Sequence, residues 1–144
     1  MERQVLNKCV AFVEGWQMKC CGTPFRIGDT ICWTVIKYGE DELPDQCFKP
    51  DFIYENHGNP QTMKLYKLDA RVDSIKANYY KIEYLPIEEN KEMTRGQHIG
   101  NYVFVDSFEV TEADGWDKDK DGSEFDSYIV QLSDCTIEPQ IKQE

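Results

Sequence analysis

The chain has 144 residues, 40% hydrophobic and 12% aromatic, which fits one domain with a real core and implies that most of it folds. Its 27 acidic against 16 basic residues give a formal net charge of −11. That balance argues against nucleic acid and anionic membranes as partners, because both are held by lysine and arginine. It leaves basic proteins, basic peptides and cations open as partners, beside the plain alternative that the charge only keeps the protein soluble. The boundaries expected are one domain over residues 1–144, with 1–7 and 138–144 as frayed ends.

The opening residues Met1-Glu2-Arg3-Gln4 are charged, and the first apolar run, Cys9 to Val13, is shorter than the roughly 7–15 residues of a secretory h-region. No run approaches the roughly 20 apolar residues of a membrane-spanning helix, so a cytoplasmic location is expected. The six cysteines are at 9, 20, 21, 32, 47 and 135, a spacing that matches no disulfide framework. They are expected as free thiols, with Cys9 and Cys32 inside apolar runs acting as small hydrophobes.

In chain order, residues 8–14 read as a strand buried on both faces. The i, i+4 spacing of Val5, Cys9 and Val13 also suits a helix, but Phe12 and the valines favour a strand, with a helical turn before it as the variant. Gly15 ends the run. Residues 15–29 carry Gly22, Pro24 and Gly28-Asp29, which is turn chemistry. Residues 30–38 are the clearest strand, with Ile31, Trp33 and Val35 on one face and Cys32, Thr34 and Ile36 on the other.

Residues 39–61, with six acids and Pro44, Pro50 and Pro60, read as a long loop that Phe48, Phe52, Ile53 and Tyr54 would tack to the core. Residues 64–76 alternate through Tyr66, Leu68, Ala70 and Val72. Ile75 then has the wrong parity, which predicts a bulge near Asp73-Ser74. Residues 79–85 resume the alternation, and Ala77-Asn78 reads as the turn of a hairpin. Residues 86–100 read as a loop, 101–110 as a strand, 111–126 as an acidic loop and 127–133 as the last strand. No repeat and no long amphipathic helix is visible. The fold class expected is all-β with room for a short helix: a small, partly open barrel of about six strands with long acidic loops.

The Cys20-Cys21 pair admits three readings: a structural turn, half of a metal site, or a redox pair. Zinc needs four ligands, usually supplied as two spaced pairs, and no second cysteine pair exists; the others would have to come from Cys9, Cys32, Cys47, His57, His98 or acids. Lys19 alone is a weak reason for a thiolate. The structural reading is preferred, and neither a metal nor a cofactor is expected. Asp117, Asp119 and Asp121 followed by Gly122 resemble the first half of a calcium loop. Its twelfth position is Tyr128 where such a loop has a bidentate glutamate, so an acidic turn is preferred. His57 and His98 are the two histidines, with no nucleophile or orienting acid in a recognisable order around them. Glu88-Glu89 reads as solvated charge rather than a glycosidase dyad. Phosphate-binding glycine loops are absent. The reading therefore leans away from an enzyme.

Trp16, Phe25 and Trp33 flank the cysteine turn and serve either as core or as a contact patch. The segment Trp16-Gln17-Met18-Lys19-Cys20-Cys21-Gly22-Thr23-Pro24-Phe25-Arg26-Ile27-Gly28-Asp29 resembles a family of small uncharacterised bacterial proteins. They share a Trp-Gln-Met-x-Cys-Cys-Gly-x-Pro-Phe-x-x-Gly-Asp signature. The likeness continues more loosely through residues 68–84 and the acidic loop with Gly115-Trp116. The resemblance implies a bacterial origin and marks residues 16–29 as the signature region; it implies no activity. The site expected comprises Trp16, Gln17, Cys20, Cys21, Phe25, Asp29 and Trp33, as the binding surface of a non-enzymatic module for a protein or small ligand. An immunity or inhibitor protein for a basic partner is one version. The alternative is a metal- or thiol-dependent protein using Cys20 and Cys21. Sequence leaves the oligomeric state open.

Overall fold

The computed structural model describes residues 3–38, 50–55, 64–83, 102–118 and 123–140, the side chains of 81–83 and 102–105 excepted. The chain is mostly strand. In order come β1 (Gln4–Glu14), α1 (Gly15–Cys20), β2 (Phe25–Arg26), β3 (Thr30–Lys37), β4 (Phe52–Tyr54), β5 (Tyr66–Glu83), β6 (Tyr102–Val110), β7 (Glu112–Ala113) and β8 (Glu124–Pro139). The main sheet runs β3-β4-β1-β8-β5-β6, and a further pairing of β3 with β5 brings its far side round. Five strands thus follow one another in a ring. β5 is long enough to give one edge to two neighbours: residues 66–71 pair with β3 and residues 75–83 with β6. This is the all-β, partly ring-like architecture expected. Among the described residues no helix is long and apolar enough to cross a membrane.

The alternation of β3 is as expected on its inner face, where Ile31, Trp33 and Val35 are buried. β1 is buried on both faces at Ala11, Phe12 and Val13, because the inner cluster takes Ala11 and Val13 while Phe12 packs outside the ring with Ile36, Ile53 and Leu65. The bulge predicted from Ile75 is present: the β5–β8 register shifts between Val72 and Ser74, so inward parity passes from Leu68, Ala70 and Val72 to Ile75, Ala77 and Tyr79.

Several expectations need correction. Ala77-Asn78 is no turn; β5 runs through it as one strand of 18 residues. Asn78 is fully buried there, donating from Nδ2 to Ser127 Oγ at 3.1 Å and accepting at Oδ1 from Ser107 at 2.7 Å. A buried amide satisfied from both neighbouring strands has no need of a turn. Phe52–Tyr54 do more than tack a loop down. They form β4, parallel to β1 and antiparallel to β3, with all three side chains buried. Gly15 ends β1 by opening α1, so the helical turn follows the strand instead of preceding it. Cys32 is exposed on the outer face of β3, unlike buried Cys9, because it has the opposite parity to Trp33. Pairing also reaches further toward the ends than the expected fraying, with Gln4 opposite Ile137 and Tyr66 opposite Pro139.

Candidate functional site

The segment 15–29 divides into a short helix, a connecting turn, a two-residue strand and a tight turn. α1 has six residues, far below the length at which a helix holds itself in water, so its stability must come from packing. Gly15, Gln17 and Met18 face inward, and the backbone N–H groups of Cys21 and Gly22 both close on the Gln17 carbonyl at 2.9 Å. The outer side of the helix meets the acidic loop after β6. Lys19 Nζ stands 4.5 Å over the Trp116 ring. Gly115, at φ +84°, lies so close that a Cβ built there would be 2.6 Å from the Lys19 backbone nitrogen. That loop is held from below by Tyr128, whose hydroxyl accepts from Gly115 N at 3.0 Å and donates to the Asp117 carboxylate. Burial first, and the bond to Asp117 second, push the Tyr128 phenol far up, so it stays a donor at any physiological pH.

β2 pairs with β7, Phe25 opposite Ala113. Arg26-Ile27-Gly28-Asp29 is a turn with the Asp29 N–H returning to the Arg26 carbonyl at 3.1 Å and Gly28 at φ +93°, as a type II turn requires. The Asp29 carboxylate accepts from Arg26 N at 2.9 Å, and Gly28 N and the Asp29 carbonyl bond to Val72 at 2.8 Å across the bulge in β5. No atom lies within 4 Å of a Cβ built on Gly28, so Gly28→Ala meets backbone strain alone. It is expected to cost about 1 kcal/mol, read as a lowered urea midpoint at unchanged m-value.

Between the Cys21–Phe25 turn and the edge of β3 lies a cleft of about 440 Å³. Its lining is Cys21, Thr23, Pro24, Phe25, Asp29, Thr30, Ile31, Cys32, Trp33, Thr34 and Tyr54. Phe25, Trp33 and Tyr54 stack edge to face beneath it, with ring centres 4.9 and 5.4 Å apart. Of the residues expected from sequence, the cleft brings together Cys21, Phe25, Asp29 and Trp33. Trp16 stands apart, 53% exposed on the outer side of α1, with its indole N–H donating to Glu14. Gln17 is interior, and Cys20 is exposed at the end of α1. Thr23, Pro24, Thr30, Ile31, Cys32, Thr34 and Tyr54 were not anticipated. The alternation of β3 carried a signal for Thr30, Cys32 and Thr34, whereas Tyr54 reaches the cleft only through the β3–β4 pairing.

The thiols at the cleft are held neutral. A hydrogen bond with Cys20 raises Cys21, and burial followed by a hydrogen bond to Asp69 raises Cys32. Neutral thiols are poor nucleophiles and poor metal ligands. Among the described residues, no group of three or more histidine, cysteine or acidic side chains could hold a metal ion. The calcium-like run is described only at Asp117, which is engaged by the Tyr128 hydroxyl. Asp119, Asp121, Cys47, His57, His98 and the Glu88-Glu89 pair lie outside the described residues.

No curated protein and no solved structure matches the chain. A protein-family profile matches residues 7–134, a span that takes in the helix, the cleft, the Gly115 loop and Tyr128. The chain belongs to that family, described as a family of unknown function (DUF6578).

Proposed function

We propose that this protein is a non-enzymatic interaction module whose cleft beside the Trp-Gln-Met…Cys-Cys signature receives a basic segment of a partner protein, in the manner of an immunity or inhibitor protein. The observation that carries the reading is the composition of the cleft. Among the described residues that line it, Asp29 is the one charged side chain, set with hydroxyls, thiols and aromatic rings. A formal net charge of −11 over the whole chain attracts a positive partner and speeds its encounter. A second reading, a soft-metal or thiol-dependent role for Cys20 and Cys21, draws on the hydrogen bond between these neighbouring thiols. A stoichiometric metal in protein purified without chelator would favour it over the first.

The test uses fluorescence polarisation with labelled lysine- and arginine-rich peptides that carry an aromatic residue, and with their acidic counterparts. Basic peptides are expected to bind and to weaken as salt screens the field. Thr30→Lys, which sets a cation on the exposed lip of the cleft, should weaken binding about tenfold, or ~1.4 kcal/mol, while Thr30→Glu should not weaken it. Equal binding of both peptide classes, or no response to Thr30→Lys, removes the proposal.

A further inference from the structure

Away from the cleft, the first and last long strands of the ring bring two thiols together. Cys9 on β1 and Cys135 on β8 have their sulfurs 3.0 Å apart, although 126 residues separate them in sequence. Their approach depends on a local irregularity. The β1–β8 ladder pairs Leu6 with Cys135 and Lys8 with Ser133, and skips the step between, where Asp134 takes φ +51°. An L-residue in that left-handed region turns the strand, so Leu132 and Cys135 both face the interior despite their opposite parity. Cys135 is thereby placed over Cys9 in the core. A second cleft, of about 310 Å³, reaches Cys9 of this pair and is lined by it with Asp51, Asp73 and Gln131 among others.

We propose that Cys9 and Cys135 are a modification site: a thiol pair that hydrogen peroxide, entering by this cleft, converts to a disulfide joining the two ends of the chain. The step balances without a cofactor. The sulfur of Cys9, the thiol residue that borders the cleft, attacks one peroxide oxygen; the O–O bond breaks, water leaves and a sulfenic acid remains. The sulfur of Cys135 then displaces the hydroxyl from the Cys9 sulfur, and the S–S bond forms with release of a second water. Two thiols lose two electrons and two protons, and one peroxide becomes two waters. Contraction from 3.0 Å to the roughly 2.05 Å of a disulfide needs a shift of about 1 Å, which the skipped ladder step allows. Burial holds the Cys9 thiol well above its ordinary range, with the Cys135 sulfur adding to it, so the reaction is slow and bulky thiol reagents are poor competitors. The disulfide would close a loop of nearly the whole chain, the case in which restricting the unfolded state is most stabilising.

The test takes the full chain with Cys20, Cys21, Cys32 and Cys47 replaced by serine, reduced, desalted and exposed to hydrogen peroxide under native conditions. The expected result is loss of two hydrogens in the intact mass, a Cys9–Cys135 cross-linked peptide after digestion, and a Tm raised by roughly 10 °C that dithiothreitol reverses. Adding Cys135→Ser should abolish the mass loss and the Tm shift. Peptide mapping of the oxidised wild-type chain gives the same reading without reliance on the serine variant folding. Two thiols still free after native oxidation, cross-linking only in denaturant, or a covalent dimer in place of the internal link would each overturn the proposal.

Discussion

Gly115→Ala is expected to destabilise the protein by about 3–4 kcal/mol, roughly three times the effect of the same change at Gly28. Both glycines have positive φ, +84° and +93°, so both substitutions carry a left-handed strain of about 1–2 kcal/mol. They differ in what the added methyl meets. At Gly28 it meets nothing within 4 Å, whereas at Gly115 it lies 2.6 Å from the Lys19 backbone nitrogen and 2.9 Å from Met18 Cβ. Backbone cannot swing aside as a side-chain tip can. α1 must therefore lift, and the buried Met18 side chain loses packing worth about 2 kcal/mol. Urea titration followed by tryptophan fluorescence checks this directly, since Trp116 sits under Lys19 at the contact. Equal costs at the two glycines would mean that the loop does not press on the helix.

Asn78→Leu should cost about 2–3 kcal/mol, despite adding an apolar residue of similar size to an interior site. The amide bonds to Ser127, which is fully buried, and to Ser107. Leucine would leave the buried Ser127 hydroxyl without that bond, while the exposed Ser107 hydroxyl turns to water, and burying a polar group without its partner costs more than a made bond gains. Combining Asn78→Leu with Ser127→Ala should recover part of the loss, since removing both partners takes away the orphan. If residues 77–78 were an exposed turn, the single substitution would fall within about 0.5 kcal/mol of wild type.

These two sites show how far local reading reaches. The bulge in β5 was legible because a change of parity is written into the order of apolar residues, Val72 followed by Ile75. The continuity of the same strand through Asn78 was not. An asparagine beside an alanine is ordinary turn chemistry, and the two serines that make it an interior residue lie 29 and 49 positions away. α1 was likewise hidden, being too short to carry a periodic signal and held by a loop nearly a hundred residues distant. The cysteines divide along the same line: the apolar run around Cys9 marks a buried thiol, but nothing local announces that Cys135 would meet it.

Sequence by itself determined that the chain is all-β, acidic and rich enough in apolar residues to fold, and which segments alternate. Those properties follow from composition and from the two-residue repeat of a strand, which any short window displays. Tertiary structure alone decided that β3 meets β5 and draws the strands into a ring, that Phe52–Tyr54 form a strand, and that Tyr54 joins Trp33 and Phe25 beneath a cleft. Each of those depends on pairing between distant segments. Its free energy comes from surfaces buried together, and neither surface carries in its own residues the identity of the other.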